Sequence, residues 1–337
     1  MGVGDTTAPA AQPTTTSSEP TTAPGAQPAK GGAPRLRLAL LMCDTPMPSV
    51  QRDYGDYRQI FDDLLRRALD DARAPADTPY TLDAFDVVHA MAYPAEDALG
   101  GHAAQDALGG HAAQDALGGH GAEDAPDGYA AVILTGSAAS AYEDTPWITR
   151  LVAWVRALAR DRPRVRIFGI CFGHQIVARA LGGACAPAGT WEVGPTAVRL
   201  TDVGRAIFGR EELCLQQMHR DHVPRAAPGS VLLGASAGCA NQGMVWFYGE
   251  GGRGGVEGER GGEASSATAL PPSSIHILTV QGHPEFTAEI VDRMVDARAA
   301  AGILPPALAA DYAARRAWTN DGVRGVGRVI WRVLGAV

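Results

Sequence analysis

The chain has 337 residues, 46% of them hydrophobic, and 37 acidic against 29 basic side chains give a formal charge of −8. That size supports one large core of about 250 residues once low-complexity stretches are set aside, and an acidic balance without any basic block argues against a nucleic-acid partner. No run of 18 apolar residues and no apolar leader is present, so neither a membrane span nor a secretory signal is expected.

Residues 1–34 are mostly Ala, Pro, Thr, Ser, Gly and Gln, too poor in large apolar groups to offset the entropy of ordering, and they read as a disordered tail. A single domain is expected over 35–337. Leu36 to Met42 is a compact apolar run and a first strand. After the turn-like Tyr54-Gly55-Asp56, the residues Ile60, Phe61, Leu64, Leu65 and Ala68 recur at helical spacing. Phe85 to Val88 suggests a second strand. A nine-residue unit then starts at Asp97, returns at Asp106 and Asp115, and decays from Asp124. With one leucine and two glycines per unit it cannot stack into a solenoid, so about 95–127 reads as a surface insertion. Its His102, His111 and His120 are a compositional signal without carboxylate support, and no metal is assigned to them.

Ala131 to Leu134 restarts the buried pattern and runs into Thr135-Gly136-Ser137, followed by a helical face at Trp147, Ile148, Leu151, Val152, Val155 and Leu158. Next comes Val165 to Ile170, an apolar run suited to a buried strand, and then Ile176, Val177, Ala180 and Leu181 at helical spacing. Cys171 sits where the period changes, with Gly169 and Gly173 two residues to either side. This is the pattern of a nucleophile on a sharp strand-to-helix turn: close passage of strand and helix requires neighbours without Cβ. A helix N-terminus favours a thiolate, so the thiol pKa should fall from about 8.5. The Phe172 N–H is placed for a developing oxyanion. The competing reading is a structural cysteine between two core elements; the paired glycines favour the nucleophile.

Gly182-Gly183 should end the elbow helix. Shorter strands are expected at Thr196–Leu200, Leu213–Met218, Val231–Ala235 and Met244–Tyr248, with antiparallel returns. About 249–274 is a second, Gly-rich insertion. Ile275 to Gln281 is a clear strand that delivers Gly282-His283-Pro284-Glu285-Phe286, and helical patterns cover about 287–300 and 323–334. Strands alternating with helices imply an α/β fold, a mostly parallel sheet with helices on both faces and its site at the strands' C-terminal ends. His283 and Glu285 lie on one face of an extended segment, and Pro284 pushes His283 toward extended angles. Glu285 could therefore hold the imidazole in one tautomer while its other nitrogen exchanges a proton with Cys171. Taken alone, a His-Pro pair at a strand end is more often a turn. The five cysteines, Cys43, Cys171, Cys185, Cys214 and Cys239, are scattered, odd in number and without C-x-x-C spacing. Neither disulfides nor zinc are indicated, and a reducing, cytoplasmic compartment is expected.

Gly169-Ile170-Cys171-Phe172-Gly173-His174-Gln175, together with Gln281-Gly282-His283-Pro284-Glu285-Phe286, resembles the class I (triad) glutamine amidotransferase family, over about residues 36–335. Asp44-Thr45-Pro46, Tyr54 to Tyr57, Pro146-Trp147 and His219-Arg220-Asp221 are similar to segments of stand-alone, GMP-synthase-like members. The resemblance implies a flavodoxin-like fold and no cofactor. It further implies a Cys171–His283–Glu285 triad that forms a γ-glutamyl thioester from glutamine, with Gly136 and Phe172 as oxyanion donors and Gln175 and His219 near the substrate. Gln175 could equally be a helix-surface amide, and the His219 to His222 cluster could suggest a metal were its neighbours not pointed apart. No synthase or ATP-binding domain is expected and no P-loop is present. Ammonia would then pass to a separate synthase or acceptor protein. The alternatives are hydrolysis of γ-glutamyl peptides by the same triad, a non-catalytic partner subunit, or a glyoxalase- or chaperone-like relative, which would have no use for His283 and Glu285.

Overall fold

The structure is a computed structural model that describes residue 1 and residues 36–75, 78–100, 128–249 and 271–337. The tail, the repeat histidines His102, His111 and His120, and most of both insertions lie outside the described residues.

The chain begins with β1 (Leu36–Met42), α1 (Pro48–Tyr54), α2 (Tyr57–Asp71) and β2 (Tyr80–Asp86). It continues with β3 (Tyr129–Leu134), α3 (Pro146–Asp161), β4 (Arg166–Ile170) and α4 (Phe172–Ala180). A seven-stranded sheet has the order β2-β1-β3-β4-β10-β9-β7, where β10 is Ile275–Val280, β9 is Gly243–Phe247 and β7 is Val231–Leu232. From β2 to β10 all neighbours are parallel; β9 and β7 are antiparallel. The expected α/β architecture is present. β1 shows why: Leu38 and Leu40 enter one core while Ala39 and Leu41 enter the other. A strand covered on both faces reads as an unbroken apolar run.

Helices α1 and α2, with α6 (Ala288–Ala300) and α8 (Arg328–Val333), pack on the first core; α3 and α4 pack on the second. Asp56 caps α2, accepting from the Gln59 N–H while the Gln59 side chain accepts from the Asp56 N–H. This capping box explains the abrupt turn before the helix. A small antiparallel sheet, β6-β5-β8, is built from β6 (Glu212–His222), β5 (Ala186–Leu200) and β8 (Gly234–Ala235).

Four sequence readings need correction. The second strand starts at Tyr80 and stops at Asp86 rather than covering 85–88; as an edge strand it buries only Leu82, so its signal is weak. β5 is 15 residues long because it crosses Pro187, Gly189, Gly194 and Pro195, which interrupt the apolar pattern. The segment 231–235 is two strands in different sheets, separated at Leu233, whose N–H donates to the Gly243 carbonyl. The last helical pattern is a π-helical turn, Gly322–Gly327, followed by α8. Three helices were not read from the sequence: α1, α5 (Asp202–Phe208) and α7 (Pro306–Arg315). Each is ten residues or fewer, too short for a clear period.

Candidate active site

β4 and β10 are parallel neighbours, in register at Gly169↔Thr279 and Ile170↔Val280. The chain therefore leaves both strands at the same rim of the sheet, and the Cys171 N–H donates to the Val280 carbonyl at 2.9 Å. This register brings two motifs 112 positions apart in the chain to one place.

Cys171 is the N-cap of α4 and has φ 51°, ψ −102°. A non-glycine residue at such angles stores about 1–3 kcal/mol of strain, which the surrounding packing must hold. The flanking glycines show how. A Cβ on Gly169 would lie 2.7 Å from the Gly173 carbonyl oxygen, and one on Gly173 would lie 2.6 Å from that of Leu134. Phe172 is the first residue of α4, where N–H groups have no acceptor within the helix.

The imidazole of His283 and the Cys171 side chain both lie against Gly136, and His283 Nδ1 lies 2.7 Å from Glu285 Oε1. Both His283 and Glu285 are 4% exposed. Glu285 Oε2 is buried with no partner among the described residues. Burial opposes a charge on His283, but the adjacent Cys171 and Glu285 outweigh it and push the imidazole up to about 10. The ring stacks on Phe286 at 4.1 Å, and the His283 backbone N–H donates to the Gln216 carbonyl. Gly136 closes the cluster. A Cβ there would meet His283 Cε1 at 2.6 Å and Cys171 Cβ at 3.6 Å, so only glycine fits with the ring where it is. Asp44 holds that loop through the Ala138 N–H at 2.6 Å.

The remaining expected residues lie in a buried polar chain beside the thiol. Gln281 Nε2 donates toward Cys171 Sγ at 3.6 Å. Gln175 Nε2 donates to Gln281 Oε1 and to the Asp221 carbonyl. Gln175 is thus a buried linker rather than a surface amide. His219 has both ring nitrogens on protein groups: Nδ1 at 3.1 Å from the Asp221 carbonyl and Nε2 at 3.0 Å from Glu192 Oε2. Burial resists ionisation of Glu192, yet the adjacent His219 and hydrogen bonds from Ser236 and Gln242 hold its carboxyl below the usual range. The sequence reading assigned no role to Gln281 or Glu192. Gln281 closes the β10 apolar run, a signal that was available; Glu192 sits in the irregular half of β5, where none was. Among the described residues no group of three His, Cys, Asp or Glu side chains is arranged to hold a metal ion, and no helix is long and apolar enough to cross a membrane.

An α/β protein with a thiol, an imidazole and a carboxylate gathered at one sheet edge is the class that fold and site define. A family model described as glutamine amidotransferase class-I matches residues 121–245, a span holding Gly136 and Cys171. The chain is 32% identical over 263 residues, 77% of its length and 82% of the relative's, to a glutamine amidotransferase-like protein of Schizosaccharomyces pombe. It therefore belongs to the class I glutamine amidotransferase family. Gamma-glutamyl peptidase 4 of Arabidopsis thaliana is 28% identical over 184 residues, 52% of this chain and 61% of that protein. A solved glutamine amido transferase from Methylobacillus flagellatus shares the fold, with TM-score 0.54 and 18% identity over 91% of this chain and 96% of that one.

Proposed function

We propose that the protein hydrolyses γ-glutamyl amide bonds, those of glutamine included, through a thioester on Cys171. The observation that carries this reading is the buried Cys171–His283–Glu285 arrangement, with imidazolium favoured beside the thiol. Cys171 Sγ, its proton held on the His283 ring, attacks the amide carbon, and the N–H groups of Phe172 and Gly136 receive the developing oxyanion. His283 gives its proton to the departing nitrogen, which leaves as ammonia or an amine. The neutral ring then takes a proton from water, whose oxygen attacks the thioester; glutamate leaves and Cys171 is regenerated. Glu285 fixes the ring tautomer, and Gln281 and Gln175 position the thiol and the substrate-side loop.

From glutamine the second product is ammonia, available to a separate synthase or acceptor protein. The working unit is the single domain at 35–337. Five unpaired cysteines, one of them required as a thiol, suit a reducing cytoplasmic compartment. Glutamate release from glutamine and from γ-glutamyl peptides tests the reading: wild type should release it and Cys171→Ala should not. Equal release by both would remove Cys171 from the mechanism.

A further inference from the structure

Arginines pair widely with carboxylates in this acidic chain: Arg293 with Asp53, Arg316 with Asp292, Arg315 with Asp311, Arg210 with Asp321. Two differ. Arg298, in the last turn of α6, and Arg220, on β6, both lie against the ring of Trp191 on β5, with Cζ 5.0 and 5.9 Å from its centroid. Among the described residues neither has a carboxylate at ion-pair distance. Arg298 is half-buried, and its Nε is buried without a hydrogen-bond partner. Burial pulls this guanidinium below its ordinary value; Tyr57, Cys171 and Asp44 act the other way, and Arg220 adds to the lowering. Arg220 precedes Asp221, whose carbonyl accepts from Gln175, and Gln175 reaches the thiol through Gln281, so the arginine pair lies on the thiol's side of this polar chain. A partly desolvated guanidinium without an anion is unfavourable, and here stacking on indole holds Arg298 beside the exposed Arg220.

The geometry points to an anion subsite beside the thiol, made by Arg298, Arg220 and Trp191, that receives the free carboxylate on the leaving-group side of a γ-glutamyl peptide. The inference deepens the hydrolytic reading and rests on it for the identity of the substrate. The γ-glutamyl end carries an amine next to its carboxylate and needs partners of both signs. Two cations with no carboxylate at ion-pair distance of either suit a carboxylate without a neighbouring amine, which a peptide C-terminus supplies and glutamine lacks. The indole offers apolar surface to the peptide body between the two ends.

Calorimetry on Cys171→Ala, which holds substrate without turning it over, tests the subsite with γ-glutamyl-cysteinyl-glycine, its C-terminal amide and glutamine. The acid should bind at least about tenfold tighter than the amide, as expected for a charge-assisted pair. Adding Arg298→Gln should abolish that preference and leave glutamine unchanged. In the active protein, Arg298→Gln should raise KM for the acid while kcat holds. Equal binding of acid and amide, no binding of the acid, or equal weakening of glutamine by Arg298→Gln would each overturn the subsite. The acid and amide comparison needs no arginine variant, so misfolding of Arg298→Gln does not protect the proposal. If the active protein cleaves neither glutamine nor peptide yet the acid preference persists, the hydrolytic reading falls and the subsite stands.

Discussion

The proposed chemistry turns on how one imidazole is charged. His283 is buried, which alone would keep it neutral, yet Cys171 and Glu285 push it to about 10. Activity that needs the imidazolium is therefore retained above the ordinary histidine value of about 6.5 and lost as pH rises through about 10. Glu285→Gln removes a negative charge that favours the imidazolium, so the alkaline limb of the pH–rate profile should move to lower pH. The same substitution frees the tautomer, and kcat should fall roughly a hundredfold. An unshifted limb would show that Glu285 does not set the charge. Gly136→Ala gives a steric counterpart, because its methyl lands 2.6 Å from His283 Cε1. We expect a loss of activity larger than any loss of stability, checked by comparing turnover with urea unfolding. That these residues come together was legible in the sequence because their neighbours are unusual: glycines around a thiol, and a proline between histidine and glutamate. Glu192 was not, since a carboxylate in an irregular strand looks like any surface acid until Ser236, Gln242 and His219 are seen around it.

Strand β4, the turn at Cys171 and helix α4 act as one unit. Gly169 packs on the Gly173 backbone and Gly173 on that of Leu134, so a side chain at either position must drive strand and helix apart. Gly173→Ala should cost about 1–3 kcal/mol, in the range of overpacked cores, and the urea midpoint would report it. Wild-type stability in that variant would mean that the elbow is not held by close backbone contact. The buried strands β1, β3, β4 and β10 could be read from the chain because both faces are covered and the apolar runs are unbroken. β2 and the first half of β5 could not. One is an edge strand with a single buried side chain, and the other is held by pairing with β6 across prolines and glycines.

For the molecule as a whole, the parallel register of β4 and β10 converts two distant motifs into one site, and it does so in a core that also contains neutral histidines. Burial lowers His174 and His276 to about 3; His174 is held by Thr279 and His276 stacks on Tyr248. Below about pH 6.5 the unfolded chain binds protons at these positions and the folded one does not, until about pH 3. Stability should therefore decline across that window by about 1.4 kcal/mol per pH unit for each histidine. His283, whose folded value is raised, adds nothing to this slope because both states hold its proton there. Urea midpoints at pH 7 and pH 5 check the decline; equal midpoints would contradict it. Beyond stability, the same register brings Cys171 and His283 to one rim of the sheet, where the proposed reaction needs them. Rapid quenching of the protein during turnover of a γ-glutamyl substrate, followed by mass spectrometry of the Cys171 peptide, tests that most directly. A γ-glutamyl group on Cys171 that is absent from Cys171→Ala is the predicted result, whereas product formation with Cys171 unmodified and the variant still active would contradict the account.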